Sequence, residues 1–316
     1  MPTLANQSQI TGVLIASYRR PAELRLAIEA ALAQVQPISC VVVVDASPEP
    51  EKSEIVEICK AKVGVPIHFL DSPIPSSTIQ RNIGAKALLA LGVTRVLVLD
   101  DDTAPAPAYL SRLSKILDDF PDAIGASGVT FPPPPARTRL QTLKKTVFEV
   151  LGLESRTPGV ISKAVCGIPV NRDKPEPVMT EWLFGCSLWR ARVFDEVEYN
   201  PRLRGAALAE DLHFSLQASR FGTLWVDPLA QLHHSYSQVS RPDSALFAYR
   251  FARNRWFIIP DLPNPLLSRF FYFLSNAALA SFAVLACICT LNLERGKEAV
   301  AYVKGTVDAI RDAAPR

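Results

Sequence analysis

The stretch VLVLDDD at residues 96–102 decides the reading of the chain. Four consecutive apolar residues are too few for a helix and carry no alternation, so both faces of the segment are buried, as in a parallel strand covered by helices on both sides. Three carboxylates, Asp100, Asp101 and Asp102, then stand just past the strand's carboxyl end. In an open α/β sheet that edge is where ligands bind.

The same pattern repeats upstream. Residues 12–16 (GVLIA), 40–44 (CVVVV) and 67–70 read as strands. Apolar residues at helical spacing mark helices over 21–33 and 53–61, and Ser76 or Ser77 can cap a third running to about residue 91. Strand–helix alternation predicts a doubly wound, mostly parallel α/β sheet of Rossmann-like type. Three of the four strands end on polar groups: Ser17-Tyr18-Arg19, Asp45 and the Asp triplet.

Downstream the texture changes. Residues 131–180 hold the run 132–135 of four prolines with many charges, and read as an insertion over the sheet edge, of the kind that forms lids or partner loops. Regular structure is expected to resume over 182–188, with a helix over 210–221 and a short strand at 224–226 leading to His233-His234. From Ala245 the composition shifts: Arg241, Arg250, Arg253, Arg255 and Arg269 precede an almost wholly apolar stretch, 270–290. A last helix places Ala299, Val300, Val303, Val307 and Ile310 on one face. The expected division is 1–240 and a helical 241–316.

Composition narrows the classes. The chain has 316 residues, 48% of them hydrophobic and 21% charged, which supports a filled core. A net charge of +3 leaves no reason to expect nucleic-acid binding. Six cysteines form no Cys-x-x-Cys pair, so neither a zinc site nor a thioredoxin-type motif is indicated. Cys40, Cys287 and Cys289 sit in apolar runs and read as buried small hydrophobes in a reducing compartment. Residues 1–10 are polar and lack a signal pattern, which points to the cytoplasm.

Each reactive-looking residue has an ordinary explanation beside the functional one. Clustered carboxylates suit a hard cation, Mn²⁺ or Mg²⁺, shared with phosphates. Strand alternation puts Asp100 and Asp102 on one side and Asp101 on the other, so Asp102 is the first-choice metal ligand, with Asp100 on a ribose or the same ion. The ordinary reading is a strand-ending turn with Asp102 as a helix cap, and the triplet alone does not separate the two. Glu210-Asp211 opens a helix at the sheet's carboxyl edge; Asp211 could take a proton from an acceptor hydroxyl and Glu210 hold the acceptor. By itself the pair is only an acidic first turn. His234 is the preferred further metal ligand and His233 the structural one. Arg81 with Asn82 could meet a diphosphate or merely line a solvated helix face. Asp45 could accept from a nucleobase edge or close a turn before Ser47-Pro48. Trp182 could stack on a sugar ring; Trp189 reads as core.

Taken in order, Ser17-Tyr18-Arg19-Arg20-Pro21, Val-Val-Asp45, Gln80-Arg81-Asn82-x-Gly84, Leu99-Asp100-Asp101-Asp102, Trp182-Leu-Phe-Gly185-x-x-Leu-x-Arg190, Glu210-Asp211 and His233-His234 resemble the family 2 glycosyltransferases of GT-A fold, above all bacterial rhamnosyltransferase-like and galactofuranosyltransferase-like members. The resemblance implies inverting, metal-dependent transfer of a sugar from a nucleotide-sugar, UDP- or dTDP-linked, to a glycan or lipid-linked hydroxyl in surface polysaccharide or glycolipid synthesis. It implies that Ala16, Tyr18, Arg19 and Asp45 hold the nucleotide, that Arg81, Asn82, Asp100 and Asp101 lie at the nucleotide-sugar, and that Trp182 and Gly185 line the sugar and acceptor site. It makes Asp211 the base, assisted by Glu210, and Asp100, Asp102 and His234 the metal ligands. His213 stands where many relatives carry a second acid, and 195–199 (DEVEY) replaces a Gly-Gly-Phe-Asp segment.

Two other readings remain open: a sugar-1-phosphate nucleotidyltransferase, whose glycine-rich first loop is missing here, and a non-catalytic sugar-nucleotide-binding scaffold. The 270–290 stretch is long enough to span a bilayer of roughly 30 Å, with the arginines holding the catalytic part at the inner face. Lying on the membrane surface ranks ahead of spanning, and packing in a homo-oligomer or core comes third.

Overall fold

Strands β1 (Thr11–Ser17), β2 (Cys40–Asp45), β3 (Ile67–Asp71) and β4 (Arg95–Asp100) are parallel and lie in the order β3-β2-β1-β4. All six positions of β2 are buried, as its unbroken β-branched run requires. Alternate residues feed two cores. Val13, Ile15, Val41, Val43, Leu97 and Leu99 meet helices α1 (Pro21–Leu32) and α2 (Glu51–Lys60) on one face. Leu14, Val42, Val44, Val96 and Val98 meet α3 (Ser77–Ala90) on the other. A Cβ on Gly84 of α3 would fall 2.0 Å from Leu14 Cδ1, so only glycine lets this helix approach the sheet so closely. The computed structural model describes residues 9–60, 64–132, 139–170, 175–203, 205, 208–237, 239 and 243–313. Residues 1–8, prolines 133–135 and Arg241, which entered the reading above, lie outside them.

The second half of the sheet is mixed. After β5 (Thr103–Pro105) and α4 (Tyr109–Asp119) come β6 (Ala123–Phe131), helix α5 (Arg139–Val150), β7 (Val178–Thr180), β8 (Ser187–Arg190), the short α6 (Val193–Glu196), α7 (Glu210–Ala218) and β9 (Thr223–His234). β8 runs antiparallel between β4 and β6; β9 is parallel to β6 and antiparallel to β5 and β7. Two expectations are corrected here. Regular structure is present within the insertion as α5 and continues with β7 at Val178, whereas 181–186, expected to be regular, is a loop. The strand expected at 224–226 extends to His234, because β6 resumes pairing beyond an irregularity that holds Pro228, where the register moves from Ser127↔Val226 to Val129↔Gln231.

The insertion also differs from expectation. Its α5 buries Phe148, with Leu153 and Ala164, against Phe271, Leu274, Ala278 and Leu279, so it cradles the C-terminal helices. Those are α8 (Ser244–Trp256), α9 (Pro265–Thr290) and α10 (Leu293–Ala313). Arg255 of α8 is wholly buried; it donates to Ala164 O at 2.8 Å, to Ser275 Oγ at 2.9 Å and to Asn276 Oδ1, and lies 4.1 Å from the Phe251 ring centroid. Asn276 in turn donates to Thr306 Oγ1 of α10 at 2.9 Å. Four polar residues of α9, Ser268, Tyr272, Ser275 and Asn276, thus form a buried stripe, whereas Arg269 and Ser281 are exposed. α10 approaches α8 through Gly305, where a Cβ would sit 2.4 Å from Tyr249 O. Of the residues placed on one face of α10, Val300 and Val303 are turned outward, 68% and 57% exposed, while Ala299 is buried. Cys289 is likewise exposed and Cys287 only half-buried, unlike Cys40; all six cysteines are unpaired. α9 is the one described helix long and apolar enough to cross a membrane.

Candidate active site

Register assembles the site. β1 pairs Ala16 with Asp100 and Ser17 with Asp45, so three strand ends converge on one edge. The pairing Thr103↔His234 between β5 and β9 then brings His234 beside the triplet, with Nε2 3.1 Å from Asp102 Oδ1. One ligand atom from each of Asp100, Asp102 and His234 lies within 4.8 Å of the others. β4 ends at Asp100 and the next two residues turn, yet Asp100 and Asp102 still converge, while Asp101 pairs with Arg20. Burial works to raise the Asp102 pKa, but the imidazole of His234, the guanidinium of Arg20 and the Ser237 N–H hold it below the ordinary value. Asp101 accepts from Arg20 at 2.9 Å and from the Tyr18 N–H at 3.4 Å; burial still pushes its pKa up to about 7.

Arg81, 3% exposed, joins the two acidic groups. Its Nη2 lies 2.6 Å from Asp100 Oδ1, its Nη1 2.6 Å from Glu210 Oε1, and its guanidinium 5.3 Å from the Tyr199 ring centroid. Glu210 and Asp211 occupy the first turn of α7. Burial raises the pKa of both, against the pull of Arg81. The residue before them, Ala209, has φ +69°, and Arg19 (φ +59°) and Tyr236 (φ +50°) share that uncommon left-handed backbone. Ala209 and Tyr236 line the same cavity and Arg19 lies between two residues that do; strained backbone of this kind collects at functional sites.

The cavity measures about 680 Å³. Ala16, Tyr18, Arg81, Asp100, Asp101 and Asp102 line it, as do Glu210, Asp211 and His234. Several expected residues do not. Arg19 turns away over the Tyr18 ring, and Arg20, the cap of α1 before Pro21, reaches the acids instead. Asp45 is fully buried with both oxygens taken by Ser47, at 2.9 Å from its N–H and 2.7 Å from its hydroxyl. Asn82 is spent on the backbone of Tyr199, donating and accepting at 2.8 Å. Trp182 packs with Val165, Leu212 and Ile258, its ring against Gly167, and its buried Nε1 has no hydrogen-bond partner among the described residues; the ring is held as core. Gly185 lies behind the cavity wall, where a Cβ would stand 3.2 Å from both Arg81 Nη2 and Asp100 Oδ2. His213 points from α7 to Asp261, 2.9 Å away, so it ties the site to the C-terminal segment. Trp189 is core, 2% exposed, as expected.

Gln80, quoted in the sequence motif without a role, donates to Ser17 O at 2.7 Å and Val44 O at 2.8 Å and so ties the ends of β1 and β2 together. Sequence reasoning did not place Tyr236, Phe247 or Arg250 in the cavity wall, where the structure has them. The spacing Phe247-x-x-Arg250 on α8 was the available signal, since residues three apart share a helix face.

The sequence model of glycosyl transferase family 2 matches residues 12–173, just over half of the 316. None of the curated protein sequences compared with the chain matches it significantly. Among solved structures, the chain is similar to TarS 1-349 of S. aureus, at 14% identity and TM-score 0.51, covering 97% of this chain and 93% of that one. It is similar to the mannosyltransferase PcManGT of Pyrobaculum calidifontis in complex with GDP-Man and Mn²⁺, at 15% identity and TM-score 0.54, covering 96% and 88%. GalNAc-T7 with UDP, GalNAc and Mn²⁺ matches at 13% identity and TM-score 0.63; 97% of this chain is covered but only 58% of that longer one. Identities this low establish shared architecture only. With a GT-A sheet carrying the acids at its carboxyl edge and the family match over the half that builds that edge, the chain belongs to glycosyl transferase family 2 and is a glycosyltransferase.

Proposed function

We propose that the enzyme transfers a sugar from a nucleotide-sugar to a hydroxyl with inversion, and that it needs a divalent cation. The observation that carries this is one cavity holding both an Asp-Asp-His set and a second, half-buried acidic pair, Glu210 and Asp211. Two carboxylates and an imidazole form an oxygen-rich donor set that fits Mn²⁺ or Mg²⁺, and two of the similar structures were solved with Mn²⁺. A cation held by Asp100, Asp102 and His234 would offset negative charge on the leaving nucleoside diphosphate. Asp211 takes the proton of the acceptor hydroxyl as its oxygen bonds to the anomeric carbon and the bond from that carbon to the diphosphate breaks on the opposite side. Its burial raises its proton affinity, as a base needs. Glu210, fixed by Arg81, borders the acceptor.

Asp102→Ala is expected to weaken binding of the preferred nucleotide-sugar about tenfold or more in Mn²⁺ and to abolish the difference between Mn²⁺ and EDTA. Calorimetric titration with UDP-, dTDP- and GDP-sugars reads both; affinity unaffected by EDTA in the parent protein would remove the cation from the reading. Released nucleoside diphosphate supports transfer. Released pyrophosphate would favour nucleotidyl chemistry, and neither product would favour a scaffold.

The acceptor in this reading is glycan or lipid-linked, in bacterial surface polysaccharide or glycolipid synthesis at the cytoplasmic face of the membrane. The division into a catalytic 1–240 and a helical 241–316 belongs to the same reading, with α8 contributing to the cavity. Surface association is favoured over spanning because the polar stripe of α9 is committed to Arg255 and Thr306 within the protein. Its C-terminal half turns large apolar residues outward: Leu285 is 56% and Ile288 66% exposed. Leu285→Glu with Ile288→Glu should therefore leave the unfolding temperature unchanged and release the protein from sedimenting liposomes that contain anionic lipid. Retention of the double variant would count against the surface reading.

A further inference from the structure

Arg20 and Arg81 are each neutralised by carboxylates of the cavity. Arg250 is not. Its side chain reaches the same cavity from α8, yet it makes no hydrogen bond or ion pair with any described residue. Burial alone lowers its pKa; no cavity carboxylate contributes. A half-buried guanidinium without a counter-charge is costly unless something else supplies one. A guanidinium also matches phosphoryl oxygens with paired donors.

The surroundings say which side of the reaction it serves. A Cβ on Gly205 would be 2.6 Å from Arg250 Nη2, so the guanidinium rests directly on that residue. Gly205 has φ +72° and belongs to the loop that leads into Glu210-Asp211; its carbonyl also accepts from the Ser77 N–H at 3.1 Å. Arg250 therefore stands against the loop that carries the base, the side from which the acceptor arrives in this reading, and it forms no ion pair with the Asp100–Asp102–His234 group where the diphosphate would lie. Phe247, one turn earlier on α8 and 43% exposed, adds an apolar ring to the same wall.

We propose that Arg250 is the anion-binding residue of the acceptor site: it holds a phosphoryl group carried by the acceptor, with Phe247 against the acceptor's neighbouring apolar or sugar portion. The inference rests on the glycosyltransfer reading above and narrows its acceptor to a phosphorylated one.

The test uses the full-length protein, saturated with Mg²⁺ and the nucleoside diphosphate that binds best, titrated calorimetrically with hexyl phosphate and with hexanol. The parent should bind hexyl phosphate and not hexanol. Arg250→Gln should lose about tenfold or more of the phosphate affinity, the worth of one charge-assisted contact, with nucleotide affinity and unfolding temperature unchanged. Arg250→Lys should retain part of it. Weaker nucleotide binding with hexyl phosphate unaffected would assign Arg250 to the donor and overturn the proposal, as would a parent that does not bind hexyl phosphate at all. If the parent binds no nucleotide, the underlying reading has failed; if it binds nucleotide and Arg250→Gln changes nothing, only this inference has.

Discussion

Asp211→Asn is expected to lower sugar transfer by about 10²–10⁴-fold, the usual worth of a positioned general base, while leaving nucleotide binding nearly intact. The amide keeps the oxygen that accepts from the Leu212 N–H at 2.7 Å, so the first turn of α7 should persist. The pH profile carries the sign. Only the ionised carboxylate can take a proton, and burial raises its pKa, so activity should fall on acidification at a higher pH than an ordinary aspartate would allow. That acid limb should vanish from the residual activity of the variant. Stability should move the other way. A folded-state pKa above the unfolded value means that the folded protein loses stability as pH rises through the interval between them. An uncharged residue escapes that loss, so the variant should unfold at a higher temperature at neutral pH. A variant that keeps parental turnover, or loses nucleotide affinity in step with turnover, would take the base assignment from Asp211.

How far the sequence could be read follows from where information is local. β1, β2 and β4 are short apolar runs with nothing to compete with a buried parallel strand, and Pro21 marks a helix start, so that half of the sheet was legible. β5, β7 and β8 have three or four residues each, too few to show a period, and exist through pairing with β9, β6 and β4. The acids of the site were legible by type and by position at strand and helix ends. Their partners were not. Arg20 rather than Arg19 reaches the triplet because the backbone turns left-handed at Arg19. Trp182 has the composition of a sugar platform and the environment of a core residue. The apolar spacing of α10 was real, but its packing face is set by Gly305 and Ala309, small residues that a hydrophobic pattern overlooks.

Arg81 was read as a donor to a diphosphate, and its surroundings give it a prior task. It is the buried cation paired with both Asp100 and Glu210, and it opposes the rise that burial imposes on the Glu210 pKa, with Asp211 beside them. Removing one partner of a buried charge network leaves the others uncompensated, which typically costs about 3–5 kcal/mol. Arg81→Leu is expected to be destabilised by that order in urea unfolding and to be inactive. Arg81→Lys should be intermediate in stability and still strongly impaired, because one ammonium on a single stem does not reproduce a fork that spans both carboxylates. Crowding adds to this: the 3.2 Å approach of a Gly185 Cβ to both Arg81 Nη2 and Asp100 Oδ2 leaves little room to re-aim a substitute. The decisive comparison is the triple change Arg81→Leu, Asp100→Asn, Glu210→Gln. With both carboxylates neutralised, the penalty of Arg81→Leu should shrink by more than about 1 kcal/mol, the non-additivity expected of groups in one network. An Arg81→Leu protein that unfolds within about 1 kcal/mol of the parent would mean that water reaches these carboxylates freely. In that case Arg81 would be released to the diphosphate role its position first suggested, and donor affinity rather than stability would be the quantity it controls.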